Sequence, residues 1–211
     1  PVSHGLAAFG PLRVLAEGRA ELFDVTDAQS PAAFAAMLRA YPGLAELELV
    51  ECPGPSAAHA HLRPGRTIRA AGLITHVPAG GSGRSGAVEL FLAGATRRID
   101  DGAESAAHAW QDEDGRQASD FAANDPDNAK YIAYYREMGM SGGEAARFYA
   151  MTNSVPFESA RWLTGSEMRG WVGGAGRRAP LMVEAEEAPH IAYADVALLD
   201  MTQLDSGGML Y

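Results

Sequence analysis

A serine that follows a glycine-rich turn is the residue of this chain best suited to nucleophilic chemistry. Residues 78–84 read Pro-Ala-Gly-Gly-Ser-Gly-Arg and lead directly into Ser85 and the apolar run 86–93. We predict a strand at 72–77, a glycine-rich loop at 78–84 and a short buried helix that begins beside the serine. Because the first N–H groups of a helix lack internal partners, an oxyanion next to Ser85 could accept a hydrogen bond from the Gly86 amide. A plain N-cap serine would give the same pattern, as would a phosphate-binding loop, although the Gly-Lys-Ser/Thr ending of a nucleotide loop is absent.

A serine nucleophile needs a base, and His108 is the best placed of the six histidines. It ends a predicted strand that we expect to lie beside the unit carrying Ser85, although a purely structural histidine is the alternative. His76 falls in an earlier strand, where we expect it to point into packing. His59 and His61 diverge by about 200° on a helix, so we predict no metal site there. We predict no cofactor either.

The composition is that of an acidic globular chain. Its 211 residues are 47% hydrophobic and 21% charged, which is enough for one sizeable core. A net charge of -10 opposes binding to phosphate backbones, so we predict no nucleic-acid partner. The longest apolar stretches fall short of the ~20 residues of a membrane helix, and no basic and apolar leader opens the chain. The single cysteine, Cys52, is interpreted as a small buried residue rather than as a reactive thiol.

The order of the predicted elements favours an α/β fold. Apolar runs on both sides of Gly18 predict a hairpin, and Ser30-Pro31 predicts an N-cap serine followed by proline at the first helical position. Strand, helix and strand then follow between residues 44 and 77, which favours a right-handed crossover and a mainly parallel sheet. Further along we predict strands at 96–99 and 105–110, a polar loop at 111–126, helices at 127–138 and 143–150, a helix capped by Thr164 with Glu167, and a strand at 181–184.

These segments together resemble the Clp protease proteolytic-subunit/crotonase superfamily. The resemblance lies in 47–50, Pro53-Gly54, 68–73, 77–80, Ser85 with 91–94, the stretch around His108, 131–139 and 162–168. The chain is similar to a branch of predicted periplasmic bacterial proteins, and the resemblance covers roughly residues 10 to 173. It implies a repeated ββα superhelix with a mainly parallel sheet and C-terminal helices. On this basis we expect one domain at 1–173 and a tail at 174–211, packed on the domain or extending from it.

The resemblance also implies an activity. It makes Ser85 the nucleophile and His108 the general base of a serine hydrolase acting on a peptide or a small acyl substrate. It further implies a homo-oligomer in the periplasm or outside the cell. Gly54 would be a second oxyanion donor beside Gly86, but the family's Pro-Gly-Gly is Pro53-Gly54-Pro55 here, and proline has no N–H to donate.

Two further departures leave the site open. The family's third triad residue falls before Trp162, where this chain offers Asn153, Pro156 and Glu158; Asn153 could orient an imidazole through its amide, as could Asp112 or Asp114 from the nearer loop. Arg84 stands where the family keeps a small residue, and it could neutralise an anionic substrate or block the site. The alternative to a hydrolase is therefore a non-catalytic binding or assembly module. A coenzyme A thioester enzyme ranks last, because no basic cluster suits the phosphates.

Overall fold

The computed structural model describes residues 5–52 and 61–173. The predicted strand at 181–184 and the tail lie outside this range. In chain order the elements are β1 (Ala7–Phe9), β2 (Leu12–Ala16), β3 (Arg19–Leu22), α1 (Ser30–Ala40), β4 (Glu46–Leu49), β5 (Glu51–Cys52), α2 (Leu62–Ala70), β6 (Ile74–Val77), β7 (Ser82–Arg84), α3 (Ala87–Leu92), β8 (Thr96–Ile99), β9 (Glu104–Ala107), a 3-10 helix (Ala118–Asp120), α4 (Pro126–Glu137), α5 (Gly142–Thr152), β10 (Arg161–Thr164) and α6 (Gly165–Val172). None of the helices in the described residues is long and apolar enough to span a membrane.

The strands form two sheets. The first has the order β1-β2-β3-β4-β6-β8, in which β1, β2 and β3 pair antiparallel and β3, β4, β6 and β8 pair parallel. The second has the order β10-β9-β7-β5, with β5, β7 and β9 parallel and β10 antiparallel to β9. Three times along the chain a strand of the first sheet is followed by a strand of the second and then by a helix, as β4-β5-α2, β6-β7-α3 and β8-β9-α4. The fold is therefore α/β with a repeated strand–strand–helix order.

Strands β7 and β10 correct the sequence prediction. Residues 78–84 were expected to be a loop throughout, yet β7 lies inside that segment and pairs with β5 and β9. Strand β10 was not predicted, and it forms because β9 offers it an antiparallel partner. Both strands are short and lack an alternating apolar pattern, so their stability comes from hydrogen bonds to neighbours that are distant in sequence.

Helix α3 is buried along its whole length, and side chains from other elements donate hydrogen bonds to its carbonyls. The hydroxyl of Tyr134 donates to the Glu89 carbonyl (2.8 Å), and the Thr75 hydroxyl donates to the Phe91 carbonyl (2.7 Å). Arg97 Nε donates to the carbonyl of Leu92 (2.7 Å). The Glu89 and Phe91 carbonyls also accept from the N–H groups of Ala93 (3.2 Å) and Gly94 (3.3 Å), so Tyr134 and Thr75 add second hydrogen bonds to them. Arg97 supplies a donor to the Leu92 carbonyl at the end of the helix, where carbonyls lack internal partners. These three bonds fix the helix that follows Ser85.

Helix starts follow local side-chain chemistry. Thr164 and Glu167 form the predicted capping box at α6, and Ser141 with Glu144 forms another at α5. Ser30 was expected to be an N-cap, but it is the first residue of α1 and its N–H donates to Asp27 Oδ1 (2.9 Å). The acidic side chain upstream therefore takes over the capping role that the serine was assigned.

Candidate active site

Ser85 lies at the turn between β7 and α3, in an uncommon backbone conformation. Its φ is +53°, and it is the only non-glycine residue with positive φ among the described residues. The Ser85 N–H donates to the Ala106 carbonyl (2.8 Å), and the Ser85 carbonyl accepts from the Val88 N–H (2.9 Å). A serine in the left-handed region costs conformational energy, so these backbone bonds must hold it there, and strain of this kind clusters at functional sites. Gly86, not Ser85, is the N-cap of α3, which corrects the N-cap alternative for the serine.

His108 directly follows β9 and has a defined tautomer. Its Nδ1 lies 2.8 Å from the carbonyl oxygen of Ala109. A carbonyl only accepts hydrogen bonds, so Nδ1 carries the proton and the Nε2 of the neutral ring keeps its lone pair. The Phe157 ring packs edge-on against the imidazole, with centroids 4.9 Å apart. These contacts fix the ring in an orientation compatible with a general base.

One pocket brings four of the predicted site residues together. Ser85, Gly86, His108 and Asn153 all line it, and its volume of about 40 Å³ gives room for a few water molecules. Among the described residues no hydrogen bond joins Ser85 Oγ to the imidazole. Catalytic hydrogen bonds of this kind often form only when substrate is bound. The second oxyanion residue, Gly54, lies outside the described residues.

Asn153 lines the pocket but does not make the contact predicted for it. Its Nδ2 donates to the Tyr149 carbonyl (2.8 Å) and to Thr152 Oγ1 (3.2 Å). Its Oδ1 is buried without a hydrogen-bond partner in the described residues. The imidazole Nδ1 of His108 is bonded to Ala109 instead, so a backbone carbonyl takes the position expected for the third triad residue.

The other predicted partners are occupied elsewhere. Asp112 and Asp114 both pair with Arg116 within the polar loop, and Glu158 accepts from Gln117 Nε2 (3.3 Å). None of these acids lines the pocket.

Arg84 pairs with Glu51 on the neighbouring strand and does not line the pocket, so it does not block the site. His76 lies between Glu46 and Asp100 on the first sheet rather than in apolar packing, because both of its ring nitrogens face carboxylates (3.0 and 3.2 Å).

Cys52 is buried, its thiol donates to the Leu22 carbonyl (3.2 Å), and burial raises its pKa to about 12. That thiol is not a nucleophile near neutral pH.

Glu89 is a pocket residue that was not predicted from the sequence. This carboxyl lines the pocket one helical turn beyond Ser85 and is buried. Its Oε1 accepts from the Tyr135 hydroxyl (2.7 Å), and its Oε2 lies 3.8 Å from His61 Nε2. Burial raises the pKa of Glu89 to about 7, and the hydrogen bond from Tyr135 opposes this rise. The available signal was a single acidic residue inside an otherwise apolar helix, Ala-Val-Glu-Leu-Phe-Leu.

Aromatic residues form another wall of the pocket. Trp110 Nε1 donates to the Tyr149 hydroxyl (2.9 Å), which in turn donates to Asn128 Oδ1. Trp110 and Tyr131 are stacked, with centroids 6.2 Å apart. Asn128 Nδ2 donates to the Ala122 carbonyl (2.9 Å) in the polar loop. This chain of bonds attaches the loop and helices α4 and α5 to the same wall.

Comparison with known proteins gives distant likenesses. No family model and no curated protein matches the sequence. The chain is similar to a mutant of the 1510-N membrane-bound stomatin-specific protease in complex with a substrate peptide, with 16% identity and a TM-score of 0.49 over 72% of this chain and 69% of that chain. A second mutant of that protease gives the same identity and TM-score over 72% of this chain and 73% of its own. The 1510-N membrane protease specific for a stomatin homolog from Pyrococcus horikoshii has 13% identity and a TM-score of 0.46 over 72% and 67%. Likeness at this level does not identify the chemistry of the pocket.

Proposed function

We propose that this protein is a serine hydrolase, a peptidase or an acyl hydrolase, with Ser85 as nucleophile and His108 as general base. One observation carries the proposal: Ser85, Gly86 and His108 line a single pocket, and the serine is held in a strained turn at the start of a buried helix. A strained serine between a strand and a helix presents its hydroxyl to a substrate, and strain there is retained for function rather than for stability.

The mechanism follows from the tautomer of His108. Ser85 Oγ attacks the substrate carbonyl while His108 Nε2 takes the hydroxyl proton, which forms a tetrahedral oxyanion. The imidazolium then returns the proton to the leaving amine or alkoxide as the bond to the carbonyl carbon breaks. Water hydrolyses the resulting acyl-serine with the same proton transfers. The Ala109 carbonyl, bonded to Nδ1, stabilises the imidazolium but carries no full charge.

Oxyanion stabilisation is assigned to the Gly86 N–H at the start of α3. Gly54 is proposed as a second oxyanion donor, and only the sequence resemblance supports this role. Loss of one such donor typically costs ~3 kcal/mol of transition-state stabilisation. A hydrolase with a single donor and a carbonyl in place of the triad acid is expected to be slow, so sensitive assays are needed.

The superfamily assignment is part of the proposal. The strand–strand–helix order, repeated three times, supports a superhelix of the Clp protease/crotonase kind. The parallel pairings among β3, β4, β6 and β8 and among β5, β7 and β9 support its mainly parallel sheets. A homo-oligomeric state and a periplasmic or secreted location rest on the sequence resemblance, and light scattering and cell fractionation test them.

A fluorophosphonate probe tests the nucleophile directly. We expect labelling of the wild-type protein at Ser85, identified by peptide mass analysis, and no labelling of Ser85→Ala. Ser82→Ala is the matched control, since Ser82 lies on β7 three residues earlier and outside the pocket lining. Labelling that persists in Ser85→Ala, or folded wild-type protein that stays unlabelled from pH 6 to 9, contradicts the proposal.

A non-catalytic binding module is the second candidate. Two observations favour it: no hydrogen bond joins Ser85 to His108 in the described residues, and no acid holds the imidazole. Under this function both residues can be replaced by alanine without loss of the protein's role. Absence of labelling, together with unchanged ligand binding by Ser85→Ala, selects this candidate over the hydrolase.

A further inference from the structure

The hydroxyl and indole donors around the pocket are largely occupied by protein acceptors. Trp110 Nε1 donates to Tyr149, and the Tyr149 hydroxyl donates to Asn128. The Tyr135 hydroxyl donates to Glu89 (2.7 Å), and Thr152 Oγ1 donates to the Tyr149 carbonyl (3.0 Å). These four side chains therefore have little donor capacity left for a bound molecule.

Two acceptors remain on the same pocket. Asn153 Oδ1 is buried without a hydrogen-bond partner in the described residues, and its amide orientation is fixed because Nδ2 must face the Tyr149 carbonyl. Glu89 is buried and, above its pKa of about 7, ionised, so that both of its oxygens accept; one accepts from Tyr135, while the other lies 3.8 Å from His61, beyond hydrogen-bond distance. Buried acceptors without donors are unfavourable, so a ligand that brings donors is favoured over one that does not.

We propose that this pocket is a side-chain subsite which selects a small hydrogen-bond donor, with Glu89 and Asn153 as the accepting residues. The inference deepens the proposed function and rests on it: the substrate is a peptide, and the selected residue lies next to the bond that Ser85 attacks. The volume of about 40 Å³ suits a short amide or hydroxyl side chain such as those of asparagine and serine. An apolar side chain of the same shape would leave both acceptors unpaired.

Binding at pH 8, where Glu89 is ionised, to the full chain carrying Ser85→Ala tests the subsite without requiring hydrolysis. The probes are the acetylated tetrapeptide amides Ala-Ala-Asn-Ala and Ala-Ala-Leu-Ala, which differ in one near-isosteric side chain, and the readouts are calorimetry and tryptophan fluorescence. We expect the asparagine peptide to bind at least roughly tenfold more tightly, because sites built to hydrogen-bond a polar group reject analogues lacking it. Adding Glu89→Gln or Asn153→Leu is expected to shrink this preference, whereas adding Glu104→Gln, at an exposed position on β9, leaves it unchanged.

The outcomes distinguish failure of the proposed subsite from failure of the proposed hydrolase activity. Equal binding of the two peptides, tighter binding of the leucine peptide, or no binding of either overturns the subsite, even if the fluorophosphonate labels Ser85. A preference for asparagine that survives Glu89→Gln and Asn153→Leu also overturns it. A preference that depends on both residues supports it, even if wild-type protein is never labelled, in which case only the hydrolase proposal fails.

Discussion

Two histidine–glutamate pairs occur in the described part of the molecule, in contrasting surroundings. His76 and Glu46 are 3.0 Å apart on the first sheet, and Asp100 and Arg98 complete a network there that is partly open to solvent. His61 and Glu89 are 3.8 Å apart in the pocket, where both side chains are less than a tenth exposed. The first pair belongs to a partly exposed network of ion pairs, whereas the second faces hydroxyls and aromatic rings.

The difference shows that residue type alone does not mark a functional site. Glu46, Glu48 and His76 have atoms close enough to hold a metal ion, but Arg98 and Arg19 already pair with the two carboxylates. A cation arriving there would have to displace existing partners. In the pocket, desolvation sets the chemistry instead, because it favours the neutral form of a carboxyl and strengthens every hydrogen bond formed.

The largest contrast is expected between His108, the proposed base, and His76, the other histidine close to Ser85 in sequence. His108→Ala should lower kcat/KM for a peptide or ester substrate by roughly 10²- to 10⁴-fold, because it removes the group proposed to accept the Ser85 proton. His76→Ala removes only surface ion pairs and should change kcat/KM by less than about twofold. Steady-state kinetics on both purified variants, after circular dichroism has verified folding, makes the comparison. Equal losses in the two variants would contradict the assignment of His108.

The two networks should respond to pH with opposite sign. The pKa of Glu89 rises from 4.5 to about 7 through burial, so unfolding releases its proton between these values. Wild-type stability relative to Glu89→Gln should therefore fall as pH rises from about 4.5 to 7, by on the order of 3 kcal/mol. The pKa of Asp100 is lowered, mainly by its hydrogen bond with His76. Its stabilisation, measured against Asp100→Asn, is present above pH ~4 and lost as the pH falls further.

Urea denaturation across pH 2 to 8 measures the free energy of unfolding for wild type and both variants. A difference between wild type and Glu89→Gln that stays constant over this range would show that Glu89 is ionised in the folded state. A difference that grows with pH in favour of wild type would reverse the assigned sign and exclude a buried neutral carboxyl.

The smallest effect is expected from Tyr135→Phe. This change removes the 2.7 Å hydrogen bond to Glu89 Oε1 and should destabilise the protein by about 1–3 kcal/mol. Since that bond opposes the effect of burial, its loss should also move the pH midpoint of the Glu89 contribution upward. Tyr41→Phe, at a partly buried position packed against the core, serves as the control and should leave the midpoint unchanged. A midpoint that moves downward in Tyr135→Phe would contradict the role given to this bond.

Much of the fold could be predicted from the sequence where the signal is local. The strand at 96–99 and the capping box at Thr164 have the bounds or contacts expected, because apolar periodicity and cap chemistry act over a few residues. Strands β7 and β10 could not be predicted this way, since their partners come from distant parts of the chain.

The same distinction holds for the candidate site. Ser85 and His108 follow from a turn pattern and a resemblance, and both line the pocket. The partner of His108 Nδ1 is a backbone carbonyl, which has no sequence signature. Glu89 was not predicted because the sequence does not show whether a single acidic residue in a short apolar helix is exposed to solvent or buried. Packing between several elements decides which side chains of a helix face a cavity, and this packing is not visible in the sequence.

The external support of α3 has a consequence for how this protein tolerates mutation. A six-residue helix is too short to persist by itself, so the direction of the Ser85 hydroxyl depends on Thr75, Tyr134 and Arg97, none of which lines the pocket. A genetic screen for lost activity should thus recover substitutions at these three positions along with those at the serine. Similarly, a stabilised variant intended to retain activity should leave all three unchanged.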